Sequence, residues 1–403
     1  MKERFAYRNR NQDSYLKLLV FFFFFSCSYS FSQFKPITPH AEISILTIEP
    51  GASLNDAFGH SAFRINDSIA KVDVIFDYGR YDFNTSNFYL KFAQGKLNYK
   101  IGANHFSDFY QSYVAQNRQV TEQILNLNFE EKEKLYKFLI RNYRPENQDY
   151  LYDFFYDNCA TKIKDVAQIA TGNTITFHTP ENLDSESFRS LIYQNVKPNS
   201  WGGFGIDLAL GSVIDRNIDS EHFMFLPEYI ALFFDNATLK NDIPLVAERK
   251  ILYKSKEADS STNFLLSPLF VFLIISILIL YITYTDYKQK SRSRILDTLI
   301  FGITGSIGIV ILLLWFATDH SATANNYNLL WAFFINLFII KQTLSKRPKL
   351  WFKKYVKFLI ILLCLMTLHW TIGVQVFNIA LLPLLVALFI RYFYILYSLK
   401  GNS

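Results

Sequence analysis

Hydrophobic and polar residues are distributed along this chain in two regimes. From about residue 35 to residue 261 apolar positions are interleaved with polar and charged ones, whereas from residue 264 onward they fall into long uninterrupted runs. The runs occupy residues 264–284, 295–316, 329–344, 358–370 and 376–397, each near the length needed to cross a bilayer, with the third and fourth the shortest. An exported α+β region is therefore expected ahead of an all-α membrane region of five spans. A further apolar block, residues 18–25, follows Lys2, Arg4, Arg8, Arg10 and Lys17 and precedes Ser28, Ser30 and Ser32. That pattern reads as a signal sequence over residues 1–33, with an uncleaved anchor as the alternative.

Within the interleaved region, residues 40–49, 60–65 and 72–78 are rich in β-formers and separated by Pro50-Gly51 and Asn66-Asp67-Ser68, which predicts three successive strands. Residues 129–142 predict a helix, since Asn128 and Glu131 form a capping pattern and Leu135, Phe138 and Leu139 recur at helical spacing. An aromatic stretch, 150–156, leads into Asp157-Asn158-Cys159-Ala160-Thr161-Lys162. Ile163, Val166, Ala167 and Ala170 then continue with helical period up to Gly172, so Cys159 is expected at or next to a helix N-terminus. The polar, Ser-rich residues 254–263 read as a linker, which divides the mature chain into an extracytoplasmic domain, 34–253, and a membrane domain, 264–403.

Charge changes the picture only through its location. A net charge of +6 would suggest nucleic acid in a cytosolic protein, but Lys and Arg concentrate between the apolar runs. Lys288, Lys290, Arg292 and Arg294 follow the first run and Lys346, Arg347, Lys349, Lys353, Lys354 and Lys357 follow the third, while residues 319–328 contain neither Lys nor Arg. By the positive-inside rule residues 34–262 lie outside and the C-terminal tail inside, the topology of a multi-pass membrane protein with an extracytoplasmic domain. Arg391 falls toward the cytoplasmic end of the last span, where it is expected to snorkel and receives no functional weight.

The chain has three Cys, of which Cys27 belongs to the signal and Cys364 to the fourth run, leaving Cys159 as the one exported thiol. It is either a buried spectator or a reactive group. A helix start offers unpaired backbone N–H groups and the positive end of the dipole, the setting in which thiols act as nucleophiles. Its base has to come from His40, His60, His105, His178 or His222, and His60 is preferred because it opens a predicted strand that would hold the imidazole still. A metal site is not supported, because there is one external Cys and no close His-x-x-x-His spacing; no cofactor is required and no glycine-rich nucleotide loop precedes a helix.

The segments Phe58-Gly59-His60-Ser61-Ala62-Phe63-Arg64, Asp77-Tyr78-Gly79 with Tyr81-Asp82-Phe83, Phe88-Tyr89-Leu90-Lys91-Phe92 with Gly95-Lys96-Leu97, and Asn158-Cys159-Ala160-Thr161 resemble the Lnb N-terminal periplasmic domain family. The resemblance continues through Thr318-Asp319-His320-Ser321-Ala322-Thr323 and Asn328-Leu329-Leu330-Trp331. His on an early strand and Cys later at a helix start is also similar to the circularly permuted papain-like fold of the lecithin:retinol acyltransferase and NlpC-related group. What the resemblance implies is lipoprotein N-acylation: a phospholipid is the acyl donor and the α-amine of the lipid-modified Cys of an apolipoprotein the acceptor. Cys159 would be the nucleophile, His60 its base and Asp77 the residue orienting His60, with Asp73, Tyr78 and Asp82 close enough in register to compete. Tyr78 and Asn158, which flank Asp77 and Cys159, are expected to line the site. Asp319, His320 and the cluster Asn325, Asn326 and Asn328 either line the lipid's access to it or form a polar turn that solvates helix ends. Two rivals stay open: a cysteine hydrolase of lipid esters or peptidoglycan peptides, and a non-catalytic membrane scaffold.

Overall fold

The alternating segments near the start of the mature chain pair as an antiparallel meander of β1 (Glu42–Ile48), β2 (His60–Asp67) and β3 (Val72–Arg80), with Ile48 opposite His60 and Ala62 opposite Asp77. This is a computed structural model, and it describes residues 34–181, 183–256 and 263–399. The expected signal sequence 1–33, with Cys27, and residues 257–262 of the expected linker lie outside the described residues. Four more strands, β4 (Asn98–His105), β5 (Val120–Leu125), β6 (Asp149–Leu151) and β7 (Val246–Tyr253), extend the sheet to seven in the order β6-β4-β3-β2-β1-β5-β7, antiparallel throughout. The period-two pleat divides the strands' side chains between two faces. On one face Ile43, Ile45, Phe63, Ile65, Phe76 and Tyr78 share a core with Leu135 and Leu139 of the Phe129–Asn142 helix and Ile163, Val166 and Ala167 of the Cys159–Thr171 helix. On the other, Leu46, Ile48, Ala62 and Ile75 are covered by Phe109 of the Phe106–Ala115 helix.

Three membrane helices, Pro268–Gln289, Arg294–Phe316 and Ile379–Ser398, are long and apolar enough to cross, and a fourth candidate is the pair Ser321–Leu330 and Phe334–Leu344, bent by 49°. The expected third span is therefore a broken element of 3-10 turns (Tyr327–Leu330 and Phe334–Ile339) followed by a short helix, Ile340–Leu344. Its irregular backbone is tolerated because it is packed in protein. Gly305 and Gly308 of the preceding helix let it approach so closely that a Cβ on Gly308 would lie 2.1 Å from the Ala332 carbonyl oxygen. The buried Asn336 ties it down, donating to Thr304 Oγ1 (2.9 Å) and accepting from the Tyr355 hydroxyl (2.6 Å). The expected fourth span, 358–370, is the end of a longer helix, Leu350–Thr371, whose first turns carry Lys353 and Lys354.

Arg391 does not snorkel. It is 0% exposed and donates to Asp297 Oδ1 and Asp286 Oδ2, both at 2.7 Å, while Arg292 Nε donates to Asp297 Oδ2 at 2.8 Å. With two carboxylates within reach, a guanidinium in the bundle is held by pairing rather than by solvent. The external asparagines also differ from both expectations. Asn326 and Asn328 are buried and donate to the carbonyls of Leu208 (2.8 Å) and Asp207 (2.9 Å), and the Asn325 carbonyl accepts from the Ser212 N–H. Asn378 adds a bond to Asp207 Oδ2 (2.7 Å), whose other oxygen accepts from Arg189. They neither line a path nor solvate helix ends; they fasten the sheet-bearing domain to the outer ends of the membrane helices.

Candidate active site

β2 begins at His60, β3 ends at Arg80, and the Cys159–Thr171 helix starts where the two strand ends meet. Because Ala62 stands opposite Asp77, the Asp77 side chain lies diagonal to His60 on the same face of the sheet, and its Oδ2 is 3.1 Å from His60 Nε2. The Cys159 thiol lies beside the same imidazole, close enough to raise its pKa. With Nε2 engaged by Asp77, Nδ1 is the nitrogen left for the sulfur. Asp77 Oδ1 in turn accepts from Arg80 Nε (2.9 Å) and Nη2 across an irregularity in the β3–β4 register. The Arg80 side chain reaches back over Gly102 of β4, where a Cβ would lie 2.0 Å from Nε. Beside Arg80 opens a cleft of about 430 Å3, lined by Tyr81, Phe83, Lys100 and Gly102 among others.

The buried Asn158 caps the helix that carries the sulfur. Its Oδ1 accepts from the N–H groups of Ala160 (2.8 Å) and Thr161 (2.9 Å), and its Nδ2 donates to the carbonyls of Phe154 and Phe225. The Cys159 N–H, at the first helical position, has no acceptor within the helix and lies beside the thiol. Gly79, at φ +93°, lies under the start of the helix, where a Cβ would make ordinary contact, 3.7 Å from Cys159 Cβ and 3.9 Å from the Tyr152 ring. A larger residue would be strained by that backbone angle.

Burial is the largest influence on the His60 imidazole and pushes its pKa down, but Tyr113, Cys159 and the Asp77 hydrogen bond together outweigh it and hold it well above the ordinary value. Burial likewise opposes ionisation of Asp77, and the His60 and Arg80 contacts overcome it, keeping the carboxyl below its usual range. Around the sulfur, burial first and Cys159 second push the Tyr150 and Tyr152 hydroxyls up, so both remain protonated donors.

Of the competing carboxylates, Asp73 pairs with Arg64 (2.8 Å) and Asp82 accepts from the Asn84 N–H (2.9 Å), leaving Asp77 on His60. Tyr78 points to the opposite face, where its hydroxyl donates to Asn142 (2.6 Å). Asp319 and His320 meet the short Phe88–Ala93 helix rather than the sulfur: the Asp319 N–H donates to the Gln94 carbonyl (2.8 Å) and His320 Nε2 lies 3.0 Å from the Phe92 carbonyl. Among the other exported histidines, His178 bonds Thr238 and His222 packs edge-on against Tyr156. Arg80, Gly102, Tyr150 and Tyr152 escaped the sequence reading, because nothing local marks a residue that acts across strands; Gly79 stood in a quoted motif with no role attached. Among the described residues no cluster of three or more His, Cys, Asp or Glu could hold a metal ion.

Residues 33–192 match the family model of the Lnb N-terminal periplasmic domain, and residues 259–402 match that of the Lnb transmembrane domain. The chain belongs to the Lnb family. It is thus a membrane protein with a periplasmic domain, and Cys159, His60, Asp77 and Arg80 all fall within the stretch matched by the periplasmic model. No curated protein and no solved structure matches it.

Proposed function

We propose that this protein is a membrane-bound lipoprotein N-acyltransferase of the bacterial inner membrane, with a permuted papain-like periplasmic domain, residues 34–253, fastened to a five-span membrane domain, residues 264–403. The observation that carries the reading is the chain of contacts from the Cys159 sulfur at a helix start through His60 to Asp77 and Arg80. The order of His strand and Cys helix supports the papain-like assignment. On this reading the Leu350–Thr371 helix and the bent third element would supply the two crossings beyond the three long apolar helices.

In the first half-reaction the Cys159 thiol gives its proton to His60 and its sulfur attacks an ester carbonyl of a phospholipid. The tetrahedral oxyanion faces the Cys159 N–H and a tyrosine hydroxyl of the Tyr150/Tyr152 pair. His60 then protonates the departing glycerol oxygen, leaving a thioester and a lysophospholipid. In the second, the α-amine of the diacylglyceryl-Cys of an apolipoprotein attacks the thioester, His60 removes the amine proton, and the C–S bond breaks to give the amide and the free thiol. Asp77 holds the imidazole in register and stabilises its charged form, and Arg80 holds Asp77.

The test is complementation in a bacterium depleted of its own lipoprotein N-acyltransferase, with the lipoprotein N-terminus read by mass spectrometry. Wild type is expected to restore the N-linked acyl chain, and Cys159→Ser and His60→Ala, present in the membrane at equal levels, are expected to leave it missing. Release of free fatty acid or peptide without acylated lipoprotein would replace the transferase by a hydrolase. Full activity of Cys159→Ser would replace it by a scaffold.

A further inference from the structure

Between β3 and β4 the chain concentrates large apolar residues: Tyr81, Phe83, Phe88, Tyr89, Leu90 and Phe92. Folding does not bury them. Tyr89 is 80% exposed, Phe83 65%, Leu90 58% and Phe92 53%, on and beside the Phe88–Ala93 helix. An apolar patch of this kind on one short element marks a surface that meets something apolar.

Its position identifies what that is. The bonds from Asp319 to Gln94 and from His320 to Phe92 pin the helix to the loop that leaves the outer end of the Arg294–Phe316 helix. Phe316, the last residue of that helix, is itself 69% exposed. The apolar face is thus continuous with the surface that the membrane helices turn to lipid. Lys91, between Leu90 and Phe92, has the length to place its ammonium at the headgroup level while its neighbours go deeper.

The patch also connects inward. Phe88 contacts Phe83 (ring centroids 4.9 Å apart) and Tyr81 (5.8 Å), Tyr81 contacts Tyr99 (5.4 Å), and Tyr99 stacks on Tyr152 (4.3 Å), whose ring lies against Gly79 beside Cys159. An unbroken row of rings runs from the exposed helix to the nucleophile.

We propose that the Phe88–Ala93 helix, with Phe83, dips into the outer leaflet of the membrane, and that the row Phe88, Tyr81, Tyr99 and Tyr152 guides a phospholipid acyl chain from that leaflet to Cys159. The docking rests on exposure and position alone; the guiding role also rests on the acyl-transfer reading of Cys159.

The first arm uses the full chain in vesicles of phosphatidylethanolamine and phosphatidylglycerol, with native thiols removed by Cys27→Ser, Cys159→Ser and Cys364→Ala. A bimane label is placed at Leu90→Cys, or at Ile69→Cys, which is equally exposed at the turn on the far end of β2. The label at position 90 is expected to be quenched by nitroxides on the lipid acyl chains, at a depth of roughly 5–10 Å. It should be shielded from aqueous iodide, with the reverse at position 69. Iodide quenching at position 90 as strong as at position 69 overturns the docking.

The second arm keeps Cys159 and compares wild type with the Leu90→Asp, Phe92→Asp double variant. Thioester formation from vesicle phospholipid is expected to fall about tenfold or more, while alkylation of Cys159 by iodoacetamide proceeds as in wild type. Equal thioester formation in both proteins, or equal losses in both reactions, overturns the guiding role. If wild type forms no thioester while position 90 is still quenched from the lipid side, the acyl-transfer reading and the guiding role fall together and the docking stands.

Discussion

Two charged clusters in this molecule are built from the same parts and left in different states. In the membrane bundle Arg391 is enclosed, Asp297 has one oxygen on Arg391 and the other on Arg292, and Asp286 completes the set. At the end of the sheet the chain of contacts runs Arg80, Asp77, His60 and then stops at a half-buried thiol. The first cluster is closed: every charge meets an opposite charge from another element, and nothing remains to offer a ligand. The second ends in a group whose proton can leave and whose sulfur can form a bond. Burial and pairing are shared by both, so neither distinguishes structure from chemistry; the unfinished end does.

Arg391→Leu should break the comparison hardest. It leaves the buried Asp286 without a cation and Asp297 with Arg292 alone, and is expected to cost about 3–5 kcal/mol, read as a large drop in the melting temperature of the purified chain in detergent. Activity per folded molecule should stay near that of wild type. A stable Arg391→Leu protein would mean that the bundle cluster is not closed in the way described. Asp77→Asn should do the opposite, lowering transfer about a hundredfold with little change in melting temperature, because the amide keeps the shape and loses the charge that holds imidazolium. Arg80→Gln, one link further from the sulfur, should show a smaller loss of the same kind.

The smallest expected effect is on pH dependence of stability. His60 binds its proton more tightly when folded, so its contribution is fully present below the unfolded value of about 6.5 and fades as pH rises through the higher folded value. The melting-temperature gap between wild type and His60→Gln should therefore be widest in mildly acidic buffer and narrow on alkalisation. A gap that widened on alkalisation would reverse the sign assigned to His60.

Much of this was legible because it is local. The capped Phe129–Asn142 helix begins and ends where Asn128, Glu131 and the spacing of Leu135 and Leu139 place it, and Asn158 caps the helix that opens at Cys159. β1, β2 and β3 announce themselves by composition and by the turns between them. Other elements had no such signal. β6 is three residues long, and β7, with Glu248, Arg249 and Lys250, is an edge strand with mostly exposed side chains. The third apolar run breaks because Asn336 and the neighbouring glycines offer its backbone a packed alternative to a helix, which hydropathy does not register.

By itself the sequence determined the division into exported and membrane regions, the start of the Cys159 helix and the short set of residues able to do thiol chemistry. Those properties depend on apolar run length, capping and residue type, all of which act over a few neighbours. Only the tertiary structure decided that His60 and Asp77 share one face with Arg80 behind them, and that Tyr78 turns away. It also set Asn326, Asn328 and Asn378 to clasp Asp207 and its neighbours, and Arg391 inside a closed set of charges. Each of those facts depends on strand register or on helices meeting across long separations in sequence, where one residue of slip would move every side chain to the other face.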